Sequence, residues 1–212
     1  MTAHIVVVDP AVMKPELSAF NRMAMNSPLP LTLHLPALYG TGSLLRDNKD
    51  VRGVVILGSK ASVNETHEWQ DVLKLWLKER WSHKIPTIGF CYGHQLIAHL
   101  FGGKVSHAFP DKSKRVGFRK VAIKPNRLWD LPKEGPLYYS HEETVLDVPP
   151  NMNLLATSDH VTVEGLEHRD LPVWSLQTHP ETVCVNEAVE CKDGDLDFGH
   201  SLVNAFLKAA AR

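Results

Sequence analysis

Short blocks of continuous apolar residues alternate along this chain with longer stretches of helical spacing, the texture of a buried parallel sheet covered by helices. The first block, His4-Ile-Val-Val-Val-Asp9, is closed by Pro10 and predicts a buried first strand. Met13 to Met25 carries a loose helical period after Pro15, and Leu31 to Leu35 predicts a second strand beyond the break at Pro28 and Pro30. Val51-Arg-Gly-Val-Val-Ile-Leu-Gly-Ser is another continuous apolar strand. Glu65 to Arg80 is amphipathic, with Trp69, Val72, Leu73, Leu75, Trp76 and Leu77 on or near one side, a stripe that reads as core packing. A further apolar run ends at Cys91 and gives way at once to Leu96, Ile97, Leu100 and Phe101 at helical spacing, so Cys91 is expected at a strand-to-helix corner.

After Gly103 the texture changes to short strands broken by turns: Lys104 to His107, Val116 to Ile123, Leu137 to Tyr139, Leu154 to Thr157 and Val161 to Glu164. Strands without intervening helices predict a small antiparallel excursion off the main sheet. Val173 to Gln177 is strand-like again, and Ser201 to Ala210 predicts a closing helix. The whole reads as α/β, with an open, mostly parallel central sheet and helices on both faces, forming one domain over residues 1–212.

Composition narrows the function classes. The formal net charge is −1 with charges spread along the chain, so there is no footprint for nucleic acid or an anionic membrane surface. No apolar run approaches the ~20 residues that span a bilayer, and no leader pattern opens the chain; a soluble, cytoplasmic protein is the expectation. Cys91, Cys184 and Cys191 show no zinc-type or disulfide spacing, and Cys184 and Cys191 read as incidental. The 12 histidines form no His-x-x-x-His pair, so neither a metal nor a cofactor is expected.

Candidate chemistry centres on Gly89-Phe-Cys91-Tyr-Gly93, a Gly-x-Cys-x-Gly elbow. The flanking glycines leave room for a strained turn, and the helix that follows points its N–H groups and positive dipole end at the sulfur. That help matters, because an unperturbed thiol is only about 3% ionised at pH 7. A lone cysteine after a strand would otherwise be a small buried hydrophobe. Gly58, at the end of the strand beginning at Val51, is a candidate oxyanion donor, since backbone N–H groups are exposed at such strand ends. Downstream, His179-Pro180-Glu181 places a base and a carboxylate two positions apart in a segment that Pro180 keeps out of helix. That spacing suits a carboxylate orienting an imidazole that takes the thiol proton.

Gly89-Phe-Cys91-Tyr92-Gly93-His-Gln95 resembles the nucleophile motif of the class I (triad) glutamine amidotransferases, and Gln177-Thr178-His179-Pro180-Glu181 resembles that family's Gln-Phe-His-Pro-Glu. The resemblance implies the flavodoxin-like fold of that family and a catalytic set of Cys91, His179 and Glu181. It implies a thioester route in which glutamine gives glutamate and ammonia, with backbone N–H groups of Gly58 and Tyr92 holding the oxyanion. Gln95 would shape the substrate pocket, and Ser140-His141, similar to the family's Ser-His step, would hold the amino-acid end of glutamine; a surface turn is the alternative for His141. The Gly58-Ser59 loop matches the family's, but Lys60 stands where it has proline. Ser175 and Thr178 stand for its usual Gly and Phe. Such domains resemble the amidotransferase part of GMP synthetase. The expected substrate is L-glutamine or a γ-glutamyl compound, and the expected partner a separate synthetase subunit, because no Gly-rich Lys-Ser/Thr phosphate loop is present. A γ-glutamyl peptidase with the same three residues and a non-catalytic regulatory domain remain as alternatives.

Overall fold

A computed structural model describes residues 2–47, 49–131, 133–183 and 189–212; Cys184 lies outside them. The chain runs β1 (His4–Val8), α1 (Leu17–Asn26), β2 (Leu31–His34), α2 (Pro36–Tyr39), α3 (Gly42–Arg46), β3 (Val51–Ile56), α4 (Glu68–Ser82), β4 (Thr87–Phe90) and α5 (Tyr92–Leu100). It continues through β5 (Val105–His107), β6 (Arg115–Ile123), β7 (Lys133–His141), β8 (Glu143–Val145), β9 (Met152–Thr157), β10 (Gly165–His168) and β11 (Val173–Leu176) to α6 (Asp197–Ala210).

Among the described residues, nine strands form one sheet in the order β2-β1-β3-β4-β11-β10-β9-β6-β7. From β2 to β11 neighbours are parallel, and from β11 to β7 they are antiparallel. The antiparallel part is therefore an extension of the main sheet, joined to it because β11 pairs with both β4 and β10. Only β5 and β8 stand apart, as a two-stranded ribbon. Interior strands such as β1, β4 and β11 are buried at every position, as a sheet covered on both faces requires.

Two apolar clusters fill the two faces. Met23 of α1 and Leu202, Val203, Phe206 and Leu207 of α6 cover Val55, Ile88 and Leu176 on one side. Leu73, Trp76 and Leu77 of α4 and Leu96 and Ile97 of α5 cover Val54, Ile56 and Val173 on the other. Two expectations fail in detail. Leu75 is 68% exposed, on the outer side of α4. Residues 161–164 are not a strand: Ser158 N–H bonds the Val161 carbonyl in a turn, and pairing begins only at Gly165. Val161 and Val163 are buried in that turn, which imitates strand alternation.

Candidate active site

Three adjacent parallel strands end at one edge. Ile56 pairs with Gly89, and Phe90 with Leu176, so the segments after β3, β4 and β11 emerge side by side, where open α/β sheets bind ligands. They carry Gly58, Cys91 and His179-Pro180-Glu181 respectively.

Cys91 caps α5 with φ 50° and ψ −103°, a backbone that a side chain rarely adopts. It is held there from both directions: its N–H donates to the Leu176 carbonyl at 3.0 Å, and its carbonyl accepts from Gln95 N–H at 3.0 Å. The strain is on Cys91 itself. The flanking glycines serve packing instead, since a Cβ on Gly89 would lie 2.5 Å from the Gly93 carbonyl oxygen, and one on Gly93 would lie 2.5 Å from that of Ile56. They let α5 start directly against β3 and β4.

His179 is fixed by its own N–H, which donates to the Tyr138 carbonyl at 2.8 Å, and by Nδ1, which meets Glu181 Oε1 at 2.9 Å. That leaves Nε2 for the thiol of Cys91, the other side-chain partner of the ring. Burial would depress the His179 pKa, but Cys91 and Glu181 together outweigh it and raise the value well above the usual one. Gly58 completes the arrangement by lacking a side chain: a Cβ there would lie 2.6 Å from His179 Cε1 and 3.5 Å from Cys91 Cβ. Its backbone therefore borders both base and nucleophile.

Two cavities flank Cys91. One, about 530 Å³, reaches Gln95, Ser140, His141 and Glu143; the other, about 370 Å³, reaches His179, Glu181, Tyr138 and the segment after β1. Ser59 and Ser140 line both, and the Ser59 hydroxyl donates to the Pro10 carbonyl at 2.7 Å. Gln95 donates to the Glu143 carbonyl at 2.8 Å. His141 is buried and lines the larger cavity, so it is not a surface turn residue. Its Nδ1 bonds the Glu143 carbonyl at 3.0 Å, and burial, followed by the Arg119 charge, lowers its pKa to about 3. The side chain of Tyr92 faces away, into the core against Trp69, so only its backbone borders Cys91.

Three features escape a reading of the sequence. Glu143 accepts the Ser62 hydroxyl, whose oxygen lies 2.8 and 3.0 Å from its two carboxylate oxygens, at the wall of the larger cavity; its only signal was its place beside Ser140-His141. Behind the site Arg119 pairs with the buried Glu164 and lies 4.3 Å from the Tyr139 ring centre. Lys60 and Lys114 line both cavities.

No helix of the described residues is long and apolar enough to cross a membrane, and they contain no group of three or more His, Cys, Asp or Glu that could hold a metal ion. Comparison with known proteins agrees with the fold. The chain is 30% identical over 139 residues to a glutamine-hydrolysing GMP synthase subunit of Methanococcus aeolicus, covering 65% of this chain and 68% of that protein. The corresponding protein of Methanocaldococcus jannaschii is 32% identical over 139 residues, with the same coverage. A solved glutamine amidotransferase of Thermotoga maritima superposes with a TM-score of 0.77 over 99% of both chains at 16% identity, a likeness of fold. The family model of class-I glutamine amidotransferases matches residues 38–190, and the chain belongs to that family.

Proposed function

We propose that this chain hydrolyses the side-chain amide of L-glutamine through a thioester on Cys91, and that the ammonia released serves a separate synthetase subunit. The observation that carries this reading is His179 held between Glu181 and Cys91 at the edge of a cleft. The names of the relatives, each a subunit of a glutamine-hydrolysing GMP synthase, support it.

Glutamine enters with its amino-acid end toward Gln95, Ser140 and His141, which puts the amide carbon at Cys91. His179 Nε2 takes the thiol proton as sulfur attacks, and Glu181 stabilises the imidazolium without itself being protonated. The oxyanion falls to the backbone N–H groups of Gly58 and Tyr92, each such donor contributing roughly 3 kcal/mol. Collapse breaks the C–N bond, His179 returns its proton to the departing nitrogen, and ammonia leaves. Water, deprotonated by the same imidazole, then cleaves the thioester to glutamate and restores the thiol.

The test is glutamate and ammonia release from L-glutamine by the purified chain and by Cys91→Ala. Turnover in the native chain and none above background in the variant is the expected result. Full activity in Cys91→Ala would remove the assignment.

A further inference from the structure

The loop that follows Gly58 is held from two sides. Leu57 N–H donates to the Val8 carbonyl at 2.9 Å, which fixes the strand end just before it. The Ser59 hydroxyl donates to the Pro10 carbonyl at 2.7 Å and accepts from Ala61 N–H at 3.0 Å, tying the loop toward the segment after β1. Ser62 reaches the other way: its hydroxyl meets both carboxylate oxygens of Glu143, at 2.8 and 3.0 Å, on the wall of the larger cavity. Residues 58–62 contain no proline to restrict the backbone, so the loop takes its shape from these side-chain ties.

Glu143 stands at a junction. It opens β8, in the ribbon outside the nine-stranded sheet. Its carbonyl accepts from Gln95 Nε2 at 2.8 Å and bonds His141 Nδ1 at 3.0 Å, the two side chains that the reaction proposed above puts at the amino-acid end of glutamine. Its carboxylate takes the Ser62 hydroxyl, a charge-assisted contact and so stronger than one between neutral groups. One residue thus holds the substrate pocket through its main chain and the loop of the oxyanion donor through its side chain.

We propose that Ser62 is a positioning residue for the amide hydrolysis: through Glu143 it sets the backbone N–H of Gly58 against the carbonyl oxygen of a substrate held by Gln95 and His141. The inference rests on the reading of Cys91 and Gly58 given above. Ser62 touches no reacting atom, and its effect falls on the acylation step. As sulfur adds to the γ-carbon, the π pair of the carbonyl moves onto oxygen, and that charge needs a donor already within hydrogen-bond reach. A displacement of about 1 Å is enough to forfeit most of such an effect. The carbonyl of bound, unreacted glutamine carries no such charge, so Ser62 acts on kcat far more than on KM.

The experiment follows two reactions of Cys91 in the native chain, Ser62→Ala and Ser62→Thr. Glutamine hydrolysis passes through the oxyanion, whereas alkylation by iodoacetamide is a displacement at saturated carbon and does not. Ser62→Ala should lower kcat about ten- to hundredfold, part of the roughly 10²- to 10³-fold that a whole donor supplies, with KM within about threefold. Its alkylation rate should stay within about twofold of native, because the nucleophile and its base are untouched. Ser62→Thr keeps the hydroxyl and should hold kcat within about threefold of native. A kcat of Ser62→Ala that close to native overturns the positioning role. So does alkylation that falls in step with kcat, which reports a collapsed site instead of a misplaced donor. Both results remove only Ser62, whereas a native chain that alkylates without turning over glutamine overturns the catalytic reading together with this inference.

Discussion

His34 and His179 each meet a buried carboxylate at 2.9 Å, from Asp47 and Glu181 respectively, yet they sit in opposite circumstances. Asp47, at the end of α3, is shared: His4 at the start of β1 reaches its other oxygen at 2.8 Å, and His34 at the end of β2 bonds Ser43 and Thr32 as well. Burial dominates at His34 and lowers its pKa in spite of Asp47. At His179 burial is outweighed, the pKa rises, and the side chain keeps 17% of its surface open to the cleft. The first arrangement is a clamp holding α3 onto two strands, and nothing in it is left free to react. An imidazole beside a carboxylate is thus a structural unit in this fold. A nucleophile on a strained turn and an open face turn one copy of it into a candidate active site.

The comparison can be broken at several points. Cys91→Ala should lower glutamine hydrolysis by about 10⁵-fold or more, the scale seen when a triad nucleophile is removed, with the fold intact by circular dichroism. Glu181→Gln should lower kcat by roughly 10³- to 10⁴-fold with little change in KM, because the amide favours the wrong imidazole tautomer. A drop under tenfold would make Glu181 dispensable and the pair merely structural. Asp47→Asn should do the reverse: activity stays within about twofold, while the unfolding free energy falls by about 1–2 kcal/mol, since buried imidazole nitrogens lose their carboxylate partner. Denaturant titration beside the glutaminase assay separates the two outcomes.

The pieces of the candidate site were legible in the sequence because each is local. The elbow occupies five consecutive residues, and His179 reaches Glu181 two positions away. What could not be read depends on pairing across distance. Nothing in the spacing of Val116 to Ile123 singles out Arg119, and only the fold brings it to Glu164, 45 positions on, where both charges are buried. The antiparallel half looked separate because nothing in the spacing of β9 and β10 says that β11 will join them to β4. The cavity beside His179 combines residues 11–14 with Lys60 and Lys114, which no periodicity connects. Glycines 89 and 93 were correctly placed for the elbow, but their reason is the close approach of α5 to the strands, not the strained turn.

The smallest expected effect sharpens the comparison through pH. His94 lies fully buried under the site, accepting from the Ser175 hydroxyl at 2.8 Å through Nδ1 and donating to the Val163 carbonyl at 3.2 Å through Nε2. Burial is the main reason its pKa falls to about 3 from the ordinary 6.5, with the Arg119 charge adding to it. Between those values the unfolded chain binds a proton there that the folded chain does not, so stability rises with pH across the window and is lost on acidification below about 6.5. Each such proton contributes a slope of about 1.4 kcal/mol per pH unit. His179 acts with the opposite sign: its raised pKa stabilises the fold below 6.5, and that contribution disappears as pH climbs through the folded value. Urea unfolding of the native chain and of His94→Gln at pH 7 and pH 5 isolates the first effect. The variant should lose less stability on acidification, by one proton's slope. Parallel curves would mean that His94 takes up its proton in the folded state as readily as in the unfolded chain, and that the acid sensitivity belongs to the clamp at Asp47.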